Sequence, residues 1–108
     1  MRDCIIKVAK DFSDAPSGRF RTDSDFSGEV FREEVLVPML ARCESIQIWI
    51  DGTSGYPSSF VDEAFGGLYR TGEYSKEMLA RKIEIISNSE IYKRYKKMME
   101  SALSGQEF

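Results

Sequence analysis

No histidine occurs anywhere in these 108 residues. That absence removes the commonest general base, the usual nucleophile–histidine–acid triad and most zinc sites. Cysteine is scarce: Cys4 and Cys43 lie far apart with no CxxC pair, and reduced, buried thiols are expected over a disulfide. Positive charge is not in surplus, because 15 Lys and Arg stand against 18 Asp and Glu for a formal net charge of −3. No global field therefore draws nucleic acid or an acidic membrane. No apolar run approaches a membrane span, and the first residues, MRDCIIKVAKDF, are too short in apolar character for a secretion signal. These exclusions point to a cytoplasmic protein without metal or cofactor, and an enzyme is not expected.

A chain of this length makes one small domain, residues 1–108, with a single two-layer core. Cys4 to Ala9 is β-branched and reads as a first strand. Lys10 to Phe26 is a polar loop, in which Gly18-Arg19-Phe20-Arg21 could add a short hairpin strand. Ser27 is an N-cap, and Phe31, Val35, Leu36, Met39 and Leu40 follow at helical spacing. Pro38 interrupts this pattern and should remove the bond to the Glu34 carbonyl, kinking the helix.

Ser45 to Asp51 alternates, with Ile46, Ile48 and Ile50 on one side and Trp49 on the other. This suggests a central strand covered on both faces. The next helix starts at Ser59, capped with Asp62 as capping-box partner, and turns Val61, Ala64, Phe65 and Leu68 inward. Gly66-Gly67 inside it implies close approach by a neighbour, since mid-helix glycine otherwise costs about 1 kcal/mol each. Gly72 fits the position past the C-cap. A short helical turn from Ser75, a strand over Lys82 to Ile86, and a helix opened by Ser87 and Glu90 complete the chain. Ile91, Tyr95, Met98 and Ala102 form the last helix's inward face. The alternation predicts an α/β fold: a small mixed sheet of about four strands covered by three to four helices.

The densest chemistry lies between Ile46 and Tyr69, where a strand, a small-residue loop and a serine-bearing helix start follow one another. Ser58 and Ser59 are candidate phosphoacceptors at the positive end of a helix, although Ser59 as a plain cap is the simpler account. Asp62 and Glu63 would repel a phosphate there. Asp51, Thr53, Ser54 and Gly55 form a second candidate, an anion cradle beyond a strand end. It lacks the Gly-Lys-Ser/Thr of a P-loop and the GxGxxG of a dinucleotide site. Tyr56 is expected to be exposed, and Tyr56 to Phe60 is the expected partner surface. Arg19 and Arg21 flank Phe20 and could grip a phosphate or a carboxylate. Glu29, Glu33 and Glu34 with Arg32 read as surface charges of one helix. Lys93, Arg94, Lys96 and Lys97 read as a solvated helix face.

The strand–loop–serine–helix unit resembles the STAS superfamily, which includes anti-sigma factor antagonists phosphorylated on a serine at a helix start. The matching residues are Pro57-Ser58-Ser59-Phe60-Val61; the family's preceding Asp and following Gly are replaced. A closer resemblance is to a bacterial STAS-like family of unknown function. It is carried by Lys10-Asp11-Phe12-Ser13, Gly18-Arg19, Ser27-Gly28-Glu29, Phe31-Arg32, Leu36 and Pro38. It continues through Asp51-Gly52, Gly55-Tyr56-Pro57-Ser58-Ser59-Phe60 and Glu63-Ala64-Phe65-Gly66-Gly67-Leu68. The resemblance implies a regulatory, partner-binding domain acting with a histidine-kinase-like ATPase or a Ser/Thr kinase. Apart from the resemblance, a homodimer is also open. A small-molecule or nucleotide binder using the 51–55 loop is the alternative. An enzyme with Asp51 as base is the third and weakest reading.

Overall fold

A computed structural model describes residues 2–106. Strand β1 (Asp3–Lys7) runs into a short helix, α1 (Val8–Asp11). A long loop then leads to α2, a continuous helix over 28–42. Strand β2 (Ser45–Trp49) follows, then α3 over 58–70, α4 (Lys76–Lys82) and β3 (Ile83–Ile86). A 3-10 turn (Glu90–Tyr92) leads into α5 (Lys93–Leu103).

The sheet has three strands in the order β1-β2-β3, and both pairings are parallel. The expected mixed, four-stranded sheet is therefore replaced by a parallel one with three strands among the described residues. The segment expected as a fourth strand spends its backbone elsewhere. The Gly18 and Arg19 carbonyls accept from the N–H groups of Gly28 and Glu29, tying the loop to the start of α2. Asp23 closes a turn on Phe20, so no extended pairing forms.

Pro38 is accommodated by a widened helical turn over Phe31–Leu36, where the Val37 N–H reaches back five residues to the Arg32 carbonyl. The helix then continues to Arg42 with the proline in its first turn, where a missing N–H is tolerated. A similar wide turn over Asp62–Gly66 lies in α3. The N-cap expected at Ser27 is present, its hydroxyl accepting from the Val30 N–H at 3.3 Å. Gly72, at φ +77°, follows the C-cap Thr71 as expected.

One core joins every layer. Ile6, Ile46, Ile48, Ile83 and Ile85 meet Phe31, Leu36, Phe60, Phe65, Leu68, Leu79 and Met99. With strands in sequential order and right-handed crossovers, both connections pass over the same side of the sheet. The opposite face, carrying Ile5, Lys7, Gln47, Trp49, Glu84 and Ile86, lies outside this core. Trp49 is half-buried on that face, so the expectation of a strand with both faces helix-covered is corrected.

Cys4 and Cys43, expected as free thiols, form a disulfide that fastens β1 to the end of α2. Parallel pairing of β1 with β2 brings them together, since Cys4 is paired with Ile46, three residues past Cys43. In the last helix Met99, Ala102 and Leu103 face the core, while Ile91 is 80% exposed. Ile91 sits in the preceding 3-10 turn, whose tighter period takes it off the expected stripe.

Candidate functional site

The loop after β2 is bound down at almost every residue. Ser87 Oγ donates to Asp51 Oδ1 at 2.5 Å and the Asn88 N–H donates to Oδ2 at 2.7 Å. Asp51 thus anchors the turn after β3, and its carboxylate is already engaged on both oxygens. Ser87 is consumed in that contact; the cap of the final turn is Ser89, which accepts from the Ile91 N–H. Thr53 is buried, with Oγ1 accepting from the Gly55 N–H at 3.2 Å and its carbonyl from the Tyr92 hydroxyl. The Ser54 N–H donates to the Asp14 carbonyl at 2.8 Å, leaving its side chain exposed. Gly55 has φ +117°, and a Cβ there would meet the Tyr95 hydroxyl at 2.7 Å.

Tyr56 departs from the expected exposure. It is 3% exposed, and its hydroxyl donates to the Ile50 carbonyl at 2.8 Å. Burial pushes its ionisation well above the ordinary tyrosine value. Phe60, named with it as a partner contact, is fully buried among Phe12, Phe31 and Tyr56. Both aromatics anchor the helix start to the core and cannot meet a partner directly.

What remains outside is Ser58. Helix α3 starts there, one residue earlier than expected, with Pro57 in the N-cap position. Proline offers no side-chain acceptor, so neither Ser59 nor a capping box closes this end. The first N–H groups of such a helix are left to solvent or a ligand. Ser58 is exposed and Ser59 half-buried. Ser58 lines two clefts. One, about 460 Å³, is shared with Arg19, Asp62, Tyr69 and Arg70. The other, about 730 Å³, is shared with Ser17, Ser54, Arg94 and Tyr95.

The charges around Ser58 are organised in pairs. Arg19 donates to Asp62 at 2.5 Å, and Arg70 donates to the other oxygen of Asp62 at 2.9 Å. Arg32 donates to the Glu63 carboxylate at 2.7 Å and to its carbonyl at 2.6 Å. The Arg32 and Glu63 side chains are only 11% and 13% exposed. Gly67 makes this possible, because a Cβ there would collide with the Arg32 guanidinium. The close approach expected for the double glycine is thus supplied by an arginine side chain. For Asp62, burial works against ionisation, but the hydrogen bonds from Arg19 and Arg70 outweigh it and hold the carboxyl below its ordinary value. Arg21 pairs with Glu33 at 2.8 Å and Glu34 at 2.5 Å. The arginines flanking Phe20 therefore grip carboxylates, and those carboxylates belong to the chain itself.

Sequence reasoning named Ser58 and Ser59 in one candidate and Ser54 in another, and a shared cleft brings Ser54 and Ser58 together. It read Arg32 as a surface charge, although that side chain is only 11% exposed and held by Glu63, and it missed Arg70. Arg70 could have been found, because it lies two turns beyond Asp62 on the same helix face. Arg32 could not, since its contact crosses two helices.

Fold and site together define a small α/β domain with a parallel sheet and an accessible helix start at one end. A family model described as a STAS-like domain of unknown function (DUF4325) matches residues 27–93. The chain belongs to that family. No curated protein and no solved structure gives a significant match.

Proposed function

We propose that this is a non-enzymatic regulatory domain that binds a protein partner through the surface around Ser58. The observation that carries this reading is the exposed Ser58 hydroxyl at an uncapped helix start, lying between two clefts. The partner class implied by the family resemblance is a histidine-kinase-like ATPase or a Ser/Thr kinase. Ser58 is the phosphoacceptor in this reading, and Ser59 is too enclosed to compete.

The arginine pairing changes the electrostatic argument about a phosphate. Asp62 and Glu63 are held by Arg19, Arg32 and Arg70, so the local charge near Ser58 is not simply negative. A phosphate on Ser58 would add up to about two negative charges within the cleft that Arg19 and Arg70 line. It would compete with Asp62 for those guanidiniums. Attachment would then rearrange the salt-bridge cluster and alter the face a partner meets.

The test uses the chain purified from its native host as wild type, Ser58→Ala and Ser58→Asp. Intact mass reports an added phosphate of about 80 Da on wild type and none on Ser58→Ala. A partner retained by wild type and Ser58→Ala but lost by Ser58→Asp supports the switch. Identical partners and unmodified mass in all three variants would remove it.

The anion-cradle reading of residues 51–55 is supported by the second cleft, which Ser17, Ser54, Ser58 and Arg94 line together beyond the carboxyl ends of the strands. A nucleotide in hundredfold excess over its Kd would stabilise the fold by about 2.7 kcal/mol. No response in a thermal-shift panel counts against it.

A further inference from the structure

Strand β1 forms one edge of the sheet, and no strand pairs with its outer side among the described residues. The Arg2 carbonyl accepts from the Glu44 N–H at 2.7 Å, so that peptide points towards β2. Peptide direction alternates along a strand, which turns the groups of Cys4 and Ile6 to β2 and those of Asp3, Ile5 and Lys7 outward. The Lys7 N–H is taken by Asp11 Oδ2 at 2.8 Å. The side chains of Asp3, Ile5 and Lys7 stand on the face that no helix covers among the described residues, and Ile5 is 59% exposed.

These three residues have a self-complementary order: an acid, an apolar residue and a base at equal spacing. We propose that the chain forms a two-fold symmetric dimer by antiparallel pairing of β1 with β1 of a second copy, centred on Ile5. In that register Ile5 lies opposite Ile5, and each copy's Asp3 lies opposite the other's Lys7. One Asp and one Lys per chain thus make two cross-strand ion pairs. The two Ile5 residues exchange both backbone hydrogen bonds across the axis; the Lys7 N–H stays with Asp11, so the Asp3 and Lys7 pairs meet through their side chains alone. A shift of two residues either way places Ile5 opposite a charge and leaves the others unmatched; a shift of one turns the side chains to opposite faces.

The edge is prepared for this. Ile6 and the Cys4–Cys43 bond fix β1 from the core side. Ser45 Oγ donates to Asp3 Oδ1 at 2.7 Å and holds that carboxylate on the open face. Pairing would join the two sheets into one of six parallel-and-antiparallel strands and bring both copies' Ile5, Trp49 and Ile86 onto a common face. A strand from an unrelated protein could use the same edge, but only a second copy matches its charges twice.

Sedimentation equilibrium of the full chain from about 10 μM to about 1 mM tests the proposal, a range suited to a weak, small interface. Wild type should show a reversible dimer. Asp3→Lys and Lys7→Asp should each weaken it by at least about tenfold, because each places like charges opposite one another twice. The Asp3→Lys/Lys7→Asp double variant should restore it. Ile5→Pro removes an outward N–H at an edge and should abolish dimerisation. Thermal unfolding of each variant checks the fold; if Ile5→Pro does not fold, the charge swap decides. A monomer over the whole range overturns the proposal. So does a dimer indifferent to the single swaps, which uses another surface, or a double variant no stronger than the singles.

Discussion

The helix-covered face of the sheet and its opposite face are made from alternate residues of the same three strands, yet they meet different surroundings. On the covered face Ile46 and Ile48 are wholly buried, with Ile6, Ile83 and Ile85 nearly so. On the other face Ile5 is largely exposed, and Gln47, Trp49 and Ile86 are half-buried. The difference is topological. Sequential strand order sends both crossovers over one side, whereas a reversal of order would have placed helices on both. Apolar character alone therefore does not say whether a strand face is packed.

The largest test of this contrast concerns the strand that lies at the edge of both faces. The disulfide closes a loop of 39 residues in sequence separation, for which chain entropy assigns about 4 kcal/mol. Chemical denaturation with and without reductant should show a loss of that order, and Cys4→Ser/Cys43→Ser should reproduce it. A much smaller loss would mean that core contacts alone hold β1 in place. Next comes the direct comparison of faces. Ile48→Ala should cost about 3 kcal/mol, because it opens a cavity in the core. Ile5→Ala, on a dilute sample, should change stability by no more than about 0.5 kcal/mol. Equal losses at the two positions would show that the outer face is covered in solution.

Much of the covered face was legible in the sequence, and its limits are physical. Alternation in Ile46, Ile48 and Ile50 identified the inward side of β2, because a two-residue period reports a half-buried strand. Ser27 was legible because a cap is a local bond, and Gly72 because a left-handed turn is a local conformation. Gly66-Gly67 indicated a close neighbour without saying which. Trp49 misled because a large apolar residue on the second face looks the same whether or not a layer lies above it. Tyr56 was placed outside because it follows a polar loop, yet its hydroxyl finds the Ile50 carbonyl and its ring packs on Phe60 and Tyr95. The disulfide needed the parallel register, which no spacing of two cysteines reveals. Of the candidate site, Ser58 was visible as a residue, but its exposure depends on Pro57 replacing the expected cap. Its arginine surroundings are contacts between distant segments.

The charge cluster beside α3 sharpens the contrast at smaller scale. Glu63→Gln leaves the guanidinium of Arg32 mostly buried with a weaker partner. It should destabilise by about 2 kcal/mol, below the range for a fully buried broken pair because both side chains keep some solvent contact. Asp62→Asn should cost less, since Asp62, Arg19 and Arg70 are each about a third or more exposed and solvent screens such pairs.

The smallest predicted effect is in pH, and its sign follows from the direction of the Asp62 shift. Burial opposes ionisation of Asp62, but hydrogen bonds from Arg19 and Arg70 prevail and lower its folded value below the ordinary 3.8. A carboxyl with a depressed folded value stabilises the fold above its unfolded value and loses that stabilisation as pH falls through the folded one. Glu33 behaves alike, because hydrogen bonding from Arg21 lowers it below 4.5. Wild type should therefore exceed Asp62→Asn in stability at pH 7, and the gap should begin to shrink near pH 4 and close below it. Denaturation midpoints of the two proteins between pH 7 and pH 2.5 check this. A gap that widens on acidification would mean that Asp62 is held in its protonated form, and that Arg19 and Arg70 are free to meet an anion at Ser58.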